Sequence, residues 1–140
     1  MFRRFLIPAL AALVVVGCDG NDNSGGNTST RFSVRYEVTG TFTTACDLFY
    51  ISRRDDVAPN EENKGGDSLQ DTATLPWEHS FEITVTQLHP FNTQIGAVCS
   101  DAEDQDVSAV IYVDGVEEAR DDRTGKNVNA TAFFQLLHVN

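Results

Sequence analysis

VSAVIYVDGVEEA, Val107 to Ala119, is the stretch that decides the fold class. Val107, Ala109, Ile111 and Val113 recur at every second position, the period of a strand with one face on a core. Asp114-Gly115 follows, and both central positions of a two-residue hairpin turn need the positive φ that this pair accepts. The stretch therefore reads as strand, tight turn, strand.

The same period extends in both directions along the chain. It takes in Phe32, Val34, Tyr36 and Val38; Cys46, Leu48 and Tyr50; Phe81, Ile83 and Val85; and Ile95, Ala97 and Cys99. VNATAFFQLL, Val128 to Leu137, supplies a last strand, and no segment carries a helical stripe. These patterns predict an all-β domain, an antiparallel β-sandwich of about seven strands, immunoglobulin-like with Greek-key character. The polar run Arg53–Asp71, with Pro59 and Gly65-Gly66, reads as its longest loop.

The N-terminus has a different composition. Arg3 and Arg4 precede an apolar run from Phe5 to Val16, shorter than the roughly twenty residues that cross a bilayer. Val15-Val16-Gly17-Cys18 resembles a bacterial lipobox, in which the cysteine becomes the acylated first residue. Residues 1–17 are thus expected to be a lipoprotein signal peptide, and 18–30 the lipidated Cys18 with a polar tether. The folded domain takes up 31–140. Acylation at Cys18 would anchor the chain to a membrane, since two acyl signals already hold stably. That places the domain in the periplasm, and Asp19 favours the inner membrane.

Cys46 and Cys99 fall in the inward phase of their strands. In an exported domain such a pair predicts a disulfide, with two free thiols as the alternative. No C-x-x-C or H-x-x-x-H spacing points to zinc. The formal net charge of −11 opposes nucleic acid and anionic lipid surfaces as partners, since both would be repelled at long range. Acid is locally dense only in SDAEDQD, where Asp101, Glu103, Asp104 and Asp106 offer hard oxygens to a weak divalent-cation site, or simply a solvated turn.

Catalysis finds little to work with. His79, His89 and His138 lie in unrelated segments and no serine sits in a G-x-S-x-G elbow, so no enzyme and no cofactor are expected. Leu75-Pro76-Trp77 reads as a plug for one end of the core, or as an exposed platform for sugars. If Leu48 and Tyr50 face inward, Phe49 and Ile51 face out. The same logic in the last strand turns Phe133 and Leu137 away from the core. These four form a candidate partner surface, unless the loop or the C-terminal tail covers them.

VRYEVTG (Val34–Gly40), TTACDLFYIS (Thr43–Ser52), TLPWEHSFEITV (Thr74–Val85) and VIYVDGVEEA (Val110–Ala119) resemble, in order and spacing, the periplasmic domains of the small mycobacterial membrane proteins called MmpS. They also resemble related domains of small bacterial lipoproteins. The resemblance implies a β-sandwich that assists a resistance-nodulation-division (RND) transporter or another envelope protein. The chain departs from MmpS in having a lipobox where those proteins keep a transmembrane helix, and in where its cysteines fall. A free-standing small-ligand or Ca-binding lipoprotein is the other expectation.

Overall fold

The structure, a computed structural model, describes residues 28–62 and 65–139. The expected signal peptide, Cys18 and residues 19–27 of the expected tether lie outside them. The elements are β1 (Ser29–Gly40), β2 (Cys46–Arg53), β3 (Gly66–Ala73), β4 (Trp77–Thr86), β5 (Phe91–Val113) and β6 (Val116–Leu136). The strands are all paired antiparallel, and no helix occurs among the described residues.

β5 organises the sheet. One of its edges pairs with β6 along almost its whole length. The other edge is divided: Ile95–Val98 pair with β2, and Val107–Val113 pair with β1. β3 lies outside β2 and β4 outside β1, giving the order β3-β2-β5-β1-β4 with β6 beside β5. The sheet thus has two arms, and it curls into a half-barrel that brings them face to face. Tyr36 of β1 donates its hydroxyl to the Ile51 carbonyl of β2 at 2.5 Å, and the Phe81 ring of β4 lies 6.1 Å from Phe91.

The curl has a local cause in the bulge that interrupts the β5–β6 ladder. Ser100 pairs with Asn127 and Gln105 with Gly125, so residues 101–104 of β5 stand opposite Lys126 alone. Extra residues on one side of a ladder bend that strand and increase its twist. The loop between β1 and β2 locks this bend: Thr41 N donates to the Asp106 carbonyl at 2.9 Å, and Asp106 N to Thr41 Oγ1 at 3.0 Å. Gly40 permits the approach, because a Cβ there would stand 2.2 Å from the Asp106 oxygen. On the β6 side, Asp121 reaches across the curl and accepts from Thr131 N at 2.8 Å.

The expected alternation is what fills the interior. Val34, Tyr36, Val38, Leu48, Ile83, Val85, Ile95, Ala97, Ala109 and Ile111 are fully buried, while Phe32, Tyr50 and Phe81 are half-buried at the margins. The turn at 114–115 has φ of 50° at Asp114 and 81° at Gly115, as a two-residue hairpin requires. Asp114 also docks that hairpin on β1, its carboxylate accepting from Ser33 N and its own N–H donating to the Ser33 carbonyl, each at 2.8 Å.

Six strands are found where about seven were expected. The segments around Ile95–Cys99 and Val107–Val113 are one strand of 23 residues, because the acidic stretch between them stays extended. The segments VEEA and VNATAFFQLL likewise merge into β6. Part of the expected loop 53–71 is β3, which lacks alternation because, as an edge strand, it is exposed on both faces. Cys46 and Cys99 are joined, with Cα atoms 4.5 Å apart. They continue the β2–β5 register one step past Asp47 and Val98, so the bridge ties neighbouring strands of one arm. The Cα separation is that of a non-hydrogen-bonded antiparallel pair.

Candidate functional site

The outward face of the β3-β2-β5-β6 arm carries the strongest candidate surface. Register places Phe49 opposite Gly96, and Gly96 opposite Thr131; one step along β5, Gln94 lies opposite Phe133. Side chains directly opposite one another share a face, so Phe49 and Phe133 stand on the same side of the sheet with β5 between them. Both are exposed, at 39% and 57%, and Val98 joins them at 38%. Gly96, with no side chain, leaves the strip between them low. A shallow depression of about 250 Å³ adjoins Phe49, lined also by Ile51, Ser68, Leu69, Gln70 and Gln94.

The other two residues of the expected surface are placed differently. Ile51 lines the depression beside Phe49 but is half-buried and packed against the core, close over Gly66, where a Cβ would stand 2.4 Å from its Cγ2. Leu137 is exposed but lies past the end of β6, beside the opening between the arms.

Between the arms, on the β4 side, runs a row of rings. Tyr50 lies 5.0 Å from Trp77 and 4.8 Å from His79, and His79 lies 5.8 Å from Phe81. Trp77 is thus half-buried against the core, in the role of the expected plug. Tyr36 is buried beneath the row and accepts from Gln94 N at 3.3 Å; burial pushes its hydroxyl pKa up, so it stays a neutral donor to Ile51. Burial lowers the pKa of His79, with the Asp55 charge opposing.

The fold brings His79 Nε2 within 3.0 Å of Ser52 Oγ, a pairing that separate segments of sequence gave no sign of. Ser52 is buried, and the contact is a hydrogen bond between the two arms. His89 bonds Glu62 at 2.5 Å, and His138 bonds Thr28 and Thr30, each at 2.9 Å.

The acidic stretch turns out to be the bulge itself. Asp101 accepts from Thr43 Oγ1 at 2.8 Å, from Thr43 N and from Ala102 N, and these hydrogen bonds, led by the Thr43 hydroxyl, hold its carboxyl below the usual range. Asp106 accepts from Thr124 Oγ1 at 2.6 Å. Two of the four expected ligands are thereby engaged in building the bend. No group of three or more His, Cys, Asp or Glu side chains that could hold a metal occurs among the described residues.

Sequence reasoning missed the opening between the arms at the end remote from the bend. Phe32, Val113, Phe134, Leu136, Leu137 and Val139 line it around about 240 Å³, with Glu118 on its rim. The signal was the apolar tail after Phe134, read as the end of a strand with Leu137 on its outward face. No protein-family model matches the chain, and no curated protein matches it.

Proposed function

We propose that this chain is a lipid-anchored, non-catalytic module of the bacterial envelope, held to the inner membrane through Cys18. It binds a protein partner in a transport or export complex through the outward face of the β3-β2-β5-β6 arm. The observation that carries this reading is the exposure of Phe49 and Phe133 on one face of one arm, because solvent-exposed aromatics gathered on an acidic domain mark a contact surface. The resemblance to MmpS supplies the class of partner, an RND-type transporter or a neighbouring envelope protein. On the same resemblance, the curl reads as a two-layered sandwich of the immunoglobulin-like kind. The depression beside Phe49 favours a second reading, a free-standing lipoprotein that takes a small ligand.

Two experiments separate these claims. Expressed in a bacterium, the wild type should enter the detergent phase and Cys18→Ala should not; equal partitioning of the two removes the anchor. Phe49→Ser with Phe133→Ser should abolish co-purification of the envelope partner while leaving Tm nearly unchanged. Unaltered co-purification, or a large fall in Tm, returns both rings to internal packing.

A further inference from the structure

The two ends of the half-barrel differ in chemistry, and the chain enters at one of them. Thr28, the first described residue, is hydrogen-bonded to His138, and Ser29 pairs with Thr86 at the end of β4. The same end holds the turn after β4, the tail after β6 and the opening lined by Phe32 and Leu136. The Asp114–Gly115 hairpin tip, docked on Ser33, stands beside it. Four large apolar side chains are left in solvent at this end, each between 57% and 70% exposed: Leu137 and Val139, which line the opening, Leu88 in the turn after β4, and Val116, which pairs with the lining residue Val113. They come from three separate segments, so no single strand's alternation explains them.

The bend forms the opposite end. Its exposed residues include Thr41, Thr43, Thr44, Glu103, Asp104 and Asp106; residues 101–104 stand opposite Lys126, and Asp106 opposite Thr124. At the entry end two carboxylates have arginine partners, Glu82 with Arg31 and Glu117 with Arg120, and Glu62 is hydrogen-bonded to His89. One arm of β5, Phe91 to Ser100, separates the ends by about 30 Å at some 3.4 Å per residue.

We propose that the entry end is a membrane-contact surface, with Leu88, Val116, Leu137 and Val139 seated in the headgroup and acyl boundary of the bilayer that holds Cys18. The inference rests on the anchored reading above and adds to it an orientation and a lipid-binding face. Nine residues lie between Cys18 and Thr28, ten Cα steps that span at most about 36 Å when fully extended, so the chain runs from the anchor into the domain at this end. Apolar groups at such a boundary sink only about 5–10 Å, which the protruding side chains can do while Glu118 on the rim stays with the headgroups. Electrostatics favours the same orientation. The acidic bulge stands several Debye lengths from an anionic leaflet when the entry end faces it, at about 8 Å per Debye length, and would be repelled if the domain turned over.

The test uses the full chain, purified as the lipoprotein and reconstituted into liposomes of phosphatidylethanolamine and phosphatidylglycerol. Val116→Cys, Leu137→Cys and, at the bend, Glu103→Cys are each labelled with an environment-sensitive dye. Lipids carrying an acyl-chain spin label should quench positions 116 and 137 at least threefold more than 103. Leu88→Ser with Val139→Ser should reduce quenching at 116 while the protein still floats with the liposomes. Equal quenching at all three positions in protein that floats overturns the contact surface and leaves the anchor standing. Protein that fails to float overturns both.

Discussion

The bend and the open end of the half-barrel are made from the same hairpin, yet they use their polar groups in opposite ways. At the bend, Thr41, Thr43 and Thr44 bond to Asp106, Asp101 and the Ser100 carbonyl, and the disulfide lies next to them. At the open end His138 bonds Thr28 and Thr30 and Asp114 docks on Ser33, yet large apolar side chains are left in solvent beside these ties. A curled sheet has to be fixed in only one place. Fixing it at the bend leaves the far end available for contact.

If that division holds, changes at the bend should cost more than changes at the opening. The largest effect is expected from Cys46→Ala with Cys99→Ala. Opening a loop with a sequence separation of 53 releases chain entropy worth about 4 kcal/mol, read as a lower urea midpoint. A loss under about 1 kcal/mol would mean that the bulge and loop hold the bend unaided. Gly40→Ala comes next, since its methyl would press on the Asp106 carbonyl; a loss of about 1–3 kcal/mol is expected in the same assay.

A third test addresses the ring row that joins the arms. Burial depresses the His79 pKa, so the unfolded chain binds its proton more readily than the folded one. The stabilisation is present above the unfolded value of 6.5 and is lost as pH falls below it. Tm should therefore decline between pH 7 and 5, and His79→Phe should flatten that part of the profile. An identical profile in the variant would assign the decline to other groups.

At the open end, His138→Ala should cost only about 0.5–1.5 kcal/mol, because its bonds lie at the surface. Smallest of all, Glu103→Gln with Asp104→Asn should change stability by no more than about 0.5 kcal/mol, the ordinary range for exposed sites. Millimolar Ca²⁺ should leave the wild-type Tm where it was. A Tm rise with Ca²⁺ that this double variant abolishes would restore the cation site and change the meaning of the acidic end.

Where a residue's role depends on its own alternation, the sequence was enough. Val34, Leu48, Ile83 and Ile111 are buried as their period requires, and Asp114-Gly115 turns as its chemistry requires. The facing of Cys46 and Cys99 was legible too, though not that they sit on adjacent strands of one arm. What stayed hidden depends on partners distant in sequence. β3 forms because β2 offers a backbone edge to it, and β5 continues past the acidic bulge because β6 pairs with it on both sides of the break. Phe49 and Phe133 share a face only through the registers of two ladders, and the Ser52–His79 contact exists only because the arms close.

The hydrogen bond from Thr131 N to Asp121 falls on an unpaired sheet edge. β6 has no neighbour beyond β5 among the described residues, so its other side is an unpaired row of amides and carbonyls, the template from which strands of separate molecules grow into fibres. Its first half is laced with charge from Glu117 to Lys126, which repels an incoming copy. Its second half, VNATAFFQLL, has none and carries the very composition that stacks. The carboxylate occupies an amide of that second half, and it comes from the charged half of the same strand. The curl that closes the barrel is therefore also what lets one end of β6 stand guard over the other.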